Sequence, residues 1–412
     1  MNNTAMLAGL VLGLALGLAA SITGAPALLT AAAWSAPFGD LFIRAIQMVV
    51  IPLVMAIVFS GVARLGDIRA LGRIGGVSLG FILGTTLPAI LIGMGTMAIA
   101  VSFAPAVANP GGGETVVTEL PTLIDFVVNL IPANPFAAAA EGRLLPLLVF
   151  SVLVGAAAGT LKREAREQLV GFAEALSDAF IKLIHWILWA APVGIFGLVA
   201  PSTARMGLGL LQSLALFVVA VILALALFTA LVYLPLVYFV GGVRPGAFLR
   251  GTLASFTMGF TTTSGVPTLP LLLRDAPGLG VSERVSELVI PLAVALNRAG
   301  SALFQGASVV FLVWLFEVPV SPAAWVGAIV AVFLGASTVA PVPSASIMTL
   351  APALSAVGAP MAGLGILLGI DRVPDMFRSG VNMTGHMAAA VVTEASVRGG
   401  DKGVDDITDA SP

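Results

Sequence analysis

Five polar side chains, Asp371, Asp375, Arg378, Asn382 and His386, follow one another at spacings of four, three, four and four residues inside an otherwise apolar stretch. On an α-helix that spacing places all five on one face. The types suit the binding of a small charged solute. A guanidinium pairs a carboxylate through two parallel hydrogen bonds, a carboxylate accepts from an ammonium, and an imidazole exchanges a proton near neutrality. Burying such groups at membrane depth costs about 2.5 to 3.5 kcal/mol each on insertion scales, so they face a protein interior, a cavity or a solute. The competing reading is a structural ladder of ion pairs between packed helices. A second polar interruption, Asn297, Arg298, Ala299, Gly300 and Ser301, lies between two apolar runs.

The composition says what kind of chain holds these residues. Of 412 residues 58% are apolar and 10% charged, with a mean hydropathy of +1.07. A soluble domain carries about 25% charged residues, so the chain reads as an all-α polytopic membrane protein. With no cysteine and two histidines, thiol chemistry, disulfides and most metal chemistry are set aside, and no paired histidines or HExxH-like spacing suggests an enzyme. A net charge of −2 offers no basic surface for nucleic acid. The N-terminus enters an apolar run without a positive region or cleavage site, which predicts a first membrane helix rather than a removable signal.

The elements that position the polar residues follow from the apolar segments. Runs near residues 5–22, 39–64, 74–103, 122–160 (broken), 170–200 and 208–240 are long enough to cross about 30 Å of hydrocarbon. Basic residues gather at Arg64, Arg69 and Arg73, at Lys162, Arg163 and Arg166, at Arg244 and Arg250, and at Arg398 and Lys402. By the positive-inside rule both termini are cytoplasmic. Beyond residue 250 the pattern becomes a hairpin broken at Gly265 and Pro267, then a helix interrupted at Asn297–Ser301, then a second hairpin broken at Pro341 and Pro343, then the polar helix. Broken hairpin plus interrupted helix, twice over, is the sequence pointer to inverted repeats around a midplane site. Arg250, Arg274 and Arg284 flank the first hairpin and no basic residue flanks the second, so the two are predicted to enter from opposite sides and to meet at the polar helix.

At this point the chain resembles the dicarboxylate/amino acid:cation symporters, the glutamate and aspartate transporter family, one archaeal member of which is a standard inverted-repeat example. The resemblance covers about residues 5–396 and rests on IPANPF at 131–136, APVGIFGLVA at 191–200, TLP at 268–270, ALFQG at 302–306 and DMFRSGVNMTG at 375–385. It implies eight transmembrane helices plus two re-entrant helical hairpins, an elevator fold and a homotrimer in the prokaryotic inner membrane. Residues 1–73 would hold scaffold helices 1–2, 74–104 helix 3 of the transport domain, and 105–207 scaffold helices 4–5. Residues 208–396 would complete the transport domain, with hairpins at about 251–275 and 323–357, and 397–412 would form a disordered cytoplasmic tail. The resemblance assigns Arg378 to the side-chain carboxylate of the substrate, Asp375 to its amino group, and Asn382 and the hairpin tips, with Ser264, Gly265 and Val342, to its α-carboxylate; Ser379 and Ser301 complete the substrate-binding set. Relatives for dicarboxylates lack the acid at Asp375 and those for neutral amino acids lack the arginine at Arg378. Aspartate or glutamate is therefore the expected solute, with a C4-dicarboxylate carrier of the same fold or an anion channel as alternatives.

The chain departs from the family pattern at the sodium-site motifs. The usual Asn-Met-Asp-Gly-Thr is Asn297, Arg298, Ala299, Gly300, Ser301, and a second sodium-binding carboxylate is His386. Sodium-site carboxylates are thus replaced by Ala299 and His386, and Asp371 and Asp375 balance Arg298 and Arg378 without a metal ion. Asn297, Asn382, Ser301, Thr85 and Thr86 are the neutral oxygens left over. The expectation is transport that needs no cofactor and is not driven by sodium, with Arg298 compensating charge and His386 taking a proton, or with simple exchange. Whether Arg298 pairs with Asp371 or Asp375 stays open. Arg372, about 100° round the helix from Asp371, is expected to face lipid headgroups or another helix, and His185 to be structural.

Overall fold

The computed structural model describes residues 3–68, 72–104, 128, 130–141, 144–187, 189–263, 265, 268–336 and 344–408. Among them there are helices and connecting turns and no strand. Helices close their backbone hydrogen bonds internally, which suits a chain bathed in hydrocarbon. Apolar side chains such as Trp34, Phe103, Leu223 and Phe239 point outward, as they do where the solvent is lipid. Three stretches, Gly72–Val101, Leu208–Val240 and Glu283–Leu315, are long and apolar enough to cross a membrane by length and composition.

The first group of helices is α1 (Asn3–Thr23), α2 (Pro26–Ile68), α3 (Gly72–Val101), α4 (Pro135–Ala140), α5 (Leu144–Gly159), α6 (Arg163–Ile187), α7 (Ala191–Met206) and α8 (Leu208–Phe228). Two π-helical turns, Thr229–Tyr233 and Leu236–Val240, continue α8. The second group is α9 (Pro245–Thr262), α10 (Leu269–Asp275), α11 (Glu283–Leu296), α12 (Ala299–Leu315), α13 (Pro322–Ala336), α14 (Ala345–Met348), α15 (Ala351–Val357), α16 (Ala362–Ile370) and α17 (Arg372–Thr408). Helix α2 packs on α5, α6 and α7, and α1 on α7. Helix α3 packs on α8 and α12, and α17 on α9 and α11. Between these two bodies the contacts are fewer, carried mainly by α16 against α7, α1 and α2 and by α15 against α5.

Small residues set the tightest crossings. A methyl added to Gly306 would lie 2.8 Å from the Ile90 carbonyl oxygen, so α3 and α12 approach backbone to side-chain-free backbone. Ser78 and Thr393 hydroxyls meet at 3.2 Å between α3 and α17. The IPANPF motif is a local cap. The Asn134 side chain accepts from the Phe136 and Ala137 N–H groups at 2.9 and 3.2 Å, and Pro135 occupies the first turn, where no donor is needed.

Several boundaries differ from the sequence reading. Helix α2 begins at Pro26, upstream of the segment expected at 39, because Pro37 and Pro52 are carried inside one long helix. The single run expected at 170–200 is two helices, broken at Trp189–Ala190, with Pro192 opening α7; prolines favour the first turn and oppose continuation. Its first part, α6, is amphipathic, and Glu174 on it forms an ion pair with Arg64 of α2. Helix α17 runs to Thr408, beyond residue 396, and Arg398 pairs with Glu394 one turn earlier. Residues 409–412 of the expected tail lie outside the described residues.

Candidate functional site

The polar stripe of α17 turns inward. Asp371, Asp375, Arg378, Asn382 and His386 are all buried, with Arg378 only 1% exposed. A guanidinium in such a place needs anions on its fork, and two supply them. Arg378 Nη1 donates to Asp371 Oδ1 at 2.6 Å and Nη2 to Asp371 Oδ2 at 3.1 Å. Nη2 also meets Asp375 Oδ1 at 2.8 Å. The guanidinium carbon stands 4.3 Å from the centre of the Phe304 ring on α12, a cation–π contact that closes its apolar side. The other oxygen of Asp375, Oδ2, accepts from the Ser344 N–H at 3.2 Å. Ser344 has a positive φ of 60° and stands at the end of the second break, just before α14.

The interruption expected at Asn297–Ser301 is a real break. Helix α11 ends at Leu296, Asn297 is extended, and α12 starts at Ala299. The freed backbone finds a partner across the site: Gly300 N–H donates to Asn382 Oδ1 at 2.9 Å, while Asn382 Nδ2 donates to Ser301 Oγ at 3.3 Å. Asn382 thus binds the start of α12 to the polar helix. Arg298 is 5% exposed and pairs with neither aspartate. Among the described residues its only hydrogen bond runs from Nη2 to the Val294 carbonyl at 2.8 Å, and Nε has no partner.

The first tip also reaches the site. Thr263 is left-handed at φ 51°, and Gly265 follows. A methyl placed on Gly265 would lie 3.5 Å from Arg298 Nη1 and 3.6 Å from the Met383 methyl, so Gly265 borders Arg298. Ser264 and Val342, expected at the two tips, lie outside the described residues. Ser379 is buried beside Arg378. Arg372 faces another element: Nη1 donates to Thr263 Oγ1 at 3.0 Å and Nη2 to the Thr261 carbonyl at 3.4 Å, tying the first turn of α17 to the tip. Gln305, from the ALFQG motif, donates through Nε2 to the Ser346 carbonyl at 2.8 Å and to Thr349 Oγ1 at 2.6 Å, anchoring α12 to the second break.

A second polar cluster adjoins the break at Asn297 and Arg298. Among the described residues, eight buried side-chain nitrogen and oxygen atoms have no hydrogen-bond partner, and six of them belong to Tyr233, Asn297, Arg298 and His386. Buried polar atoms are nearly always satisfied, so these four residues stand apart from the rest of the core. A methyl on Gly385 would lie 3.1 Å from Asn297 Nδ2 and would collide with the Tyr233 hydroxyl, which brings Tyr233, Asn297 and the residue before His386 together. His386 lies within electrostatic reach of Arg298. The Thr85 and Thr86 hydroxyls are committed as donors to their own helix, at 2.9 Å to Phe81 and 2.8 Å to Ile82 carbonyls. The His185 side chain is outside the description.

Two of these residues do not stand out in the sequence. Ser344 contributes a backbone N–H, a role its side-chain type does not announce. Tyr233 has a faint signal, as one of two tyrosines. Its π-helical turn, a form that recurs at functional sites, cannot be read from residue types. Phe81 and Phe228 hold its ring at 6.2 and 4.7 Å between centroids.

Fold and site together define an integral membrane protein, all helical among its described residues, whose broken helices converge on a buried charged centre. A sequence profile of the Sodium:dicarboxylate symporter family matches residues 3–396, and the chain belongs to that family. It is similar to a proton/glutamate-aspartate symporter of Escherichia coli (strain K12), 29% identical over 374 residues that make up 86% of this chain and 84% of that protein. It is also similar to a C4-dicarboxylate transport protein of Anaeromyxobacter sp. (strain K), 32% identical over 86% of this chain and 82% of the relative. A proton/sodium-glutamate symport protein of Bacillus subtilis (strain 168) is 29% identical over 94% and 91% of the two chains.

Proposed function

We propose that the chain is a secondary transporter that carries an acidic amino acid, aspartate or glutamate, across the prokaryotic inner membrane. The observation that carries this reading is the buried set Asp375–Arg378, whose contacts at 2.8 Å can be exchanged for the ammonium and the side-chain carboxylate of one substrate. Asn382 and Ser301, already joined across the break at 3.3 Å, stand beside that set with Ser379 and Gly265, and the substrate-binding set also takes in Ser264 and Val342. The relative named as a C4-dicarboxylate transport protein favours a second reading, succinate-like substrates; Asp375 argues against it, because a dicarboxylate offers that acid nothing in return for Arg378.

The transporter works as an elevator in a homotrimer, with both termini cytoplasmic. The body of α1, α2 and α4–α7 is the static scaffold, and α3, α8 and α9–α17 slide against it with the substrate. Eight helices span the membrane, and the pairs α9–α10 and α13–α15 are re-entrant hairpins. The sparse contact between the two bodies supports a sliding interface. Sodium does not drive the cycle: Ala299 and His386 offer no carboxylate, and the unpaired Arg298 repels a cation. A proton on His386, whose two ring nitrogens have no partner, supplies the coupling once the substrate's carboxylate has offset the charge of Arg298, which otherwise opposes a second cation.

The test is uptake of labelled aspartate into proteoliposomes under separately imposed gradients. An inward proton gradient accelerates uptake, an inward sodium gradient does not, and glutamate competes while serine does not. In His386→Gln the proton gradient loses its effect while counterflow exchange of aspartate persists. Strong stimulation by sodium would remove the coupling assignment, and preference for succinate the substrate assignment.

A further inference from the structure

We infer that Arg298 is the receptor for the substrate's α-carboxylate, and that the charges of the site are arranged as the mirror image of an α-amino acid zwitterion. This rests on the reading of the chain as a carrier of acidic amino acids. Four charged side chains are buried at the centre, and they do not pair evenly. Arg378 takes both acids, holding Asp371 at 2.6 and 3.1 Å and Asp375 at 2.8 Å. That triad carries a net charge of −1, from two carboxylates and one guanidinium. Arg298 is left over with +1 and no carboxylate among the described residues.

Each feature of Arg298 suits a waiting receptor. Nη2 is fixed by the Val294 carbonyl at 2.8 Å, one turn back on α11, which sets the plane of the guanidinium. Nε is buried without a partner. Nη1 borders Gly265, where an added methyl would come into ordinary contact at 3.5 Å, so the lack of a side chain at that position leaves the nitrogen uncrowded from there. A buried guanidinium that lacks an anion is costly, and truncation or neutralisation relieves the cost as surely as a ligand does. A planar carboxylate is the group whose geometry fits the fork.

The separation of +1 on Arg298 from −1 on the triad then selects the substrate. The α-carboxylate goes to Arg298 and the ammonium to the triad. Asp375 turns from Arg378 to the ammonium, and the face of Arg378 that it leaves takes the side-chain carboxylate. Partners are exchanged and no charge is left bare. A C4-dicarboxylate can occupy Arg298, but it brings no ammonium to draw Asp375 away, so its second carboxylate meets an Arg378 that is already saturated. An amino acid without a side-chain carboxylate fills Arg298 and Asp375 and leaves Arg378 short of one anion.

Thermal-shift titrations of purified wild type, Arg298→Gln and Arg298→Lys with L-aspartate, L-asparagine and succinate test this. Wild type binds aspartate at least about 30-fold more tightly than either of the other two, the scale on which a buried charged contact is lost. In Arg298→Gln aspartate affinity falls by about 30-fold or more, and the empty variant melts at or above the wild-type temperature, because an unpaired buried charge is gone. Arg298→Lys retains part of the affinity. Aspartate binding within about 3-fold of wild type in Arg298→Gln overturns the receptor role, as does an empty variant that melts well below wild type, which would make Arg298 a structural residue. Succinate binding as tightly as aspartate in wild type overturns the zwitterion match alone. If wild type binds none of the three, the carrier reading falls and this inference with it.

Discussion

At Arg378 one guanidinium holds two carboxylates inside a protein, and the three groups differ in what they can give up. Asp371 engages both Nη atoms, at 2.6 and 3.1 Å, from two turns earlier on the same face. Asp375 engages one and is shared with the Ser344 N–H. Asp371 is therefore the fixed counter-ion and Asp375 the exchangeable one. Removing one partner of a buried ion pair strands the other, at about 3 to 5 kcal/mol. Asp371→Ala is expected to lose that much in SDS-induced unfolding of the purified protein. Asp375→Asn keeps an acceptor for Ser344 and leaves Arg378 bound to Asp371, so it is expected to unfold within about 1 kcal/mol of wild type, the size of an ordinary net hydrogen bond, while losing aspartate binding. Equal destabilisation by both would show that the two acids share one structural task.

The elements create the site by being interrupted. Asn297 and Arg298 end α11 and leave the start of α12 to be met by Asn382, while Gln305 of α12 holds Ser346 and Arg372 of α17 holds Thr263. Their positions depend on how closely α3 and α12 cross. A methyl at Gly306 would press on the Ile90 carbonyl oxygen at 2.8 Å and on Met94 at 3.1 Å, and carbonyl oxygen of a helix cannot step aside as a side-chain end can. Gly306→Ala is expected to cost about 1 to 3 kcal/mol of stability, the usual range for overpacking, and to weaken aspartate binding through displacement of Phe304 from Arg378. Arg372→Ala frees Thr263 from α17, and the expected readout is faster proteolysis at the first tip with aspartate affinity little changed, because Arg372 touches the turn and not the charged centre.

On the scale of the whole molecule, two helical bodies meet through α16, whose small residues lie against α7: a methyl on Gly369 would stand 3.3 Å from Ile195 Cγ2. The chain has no native cysteine, so an engineered pair is chemically alone. Ile195→Cys combined with Gly369→Cys is expected to be cross-linked by mercuric ion. The linked protein should then bind aspartate with unchanged affinity and transport none, and stripping the mercury with excess dithiol should restore uptake. Full uptake by the linked protein would refute sliding of one body past the other.

The sequence by itself determined that the chain is helical and membrane-embedded, that Asp371 and four polar residues of α17 share a face, and that Asn297–Ser301 interrupts a helix. Composition and period are enough for these, because hydrocarbon permits few backbone forms and a helix fixes which residues align. It also carried the family, through motifs whose local reasons are now visible, such as the Asn134 cap. Which charges pair was decided only by tertiary structure. Asp371, Asp375, Arg298 and Arg378 balance in any pairing, and distance alone gives both acids to Arg378 and leaves Arg298 beside Gly265. The same holds for Tyr233, which a π-helical turn and two phenylalanine rings bring to the same glycine, Gly385, as Asn297, and for the two helices within 170–200, where propensity and hydropathy run on through the break.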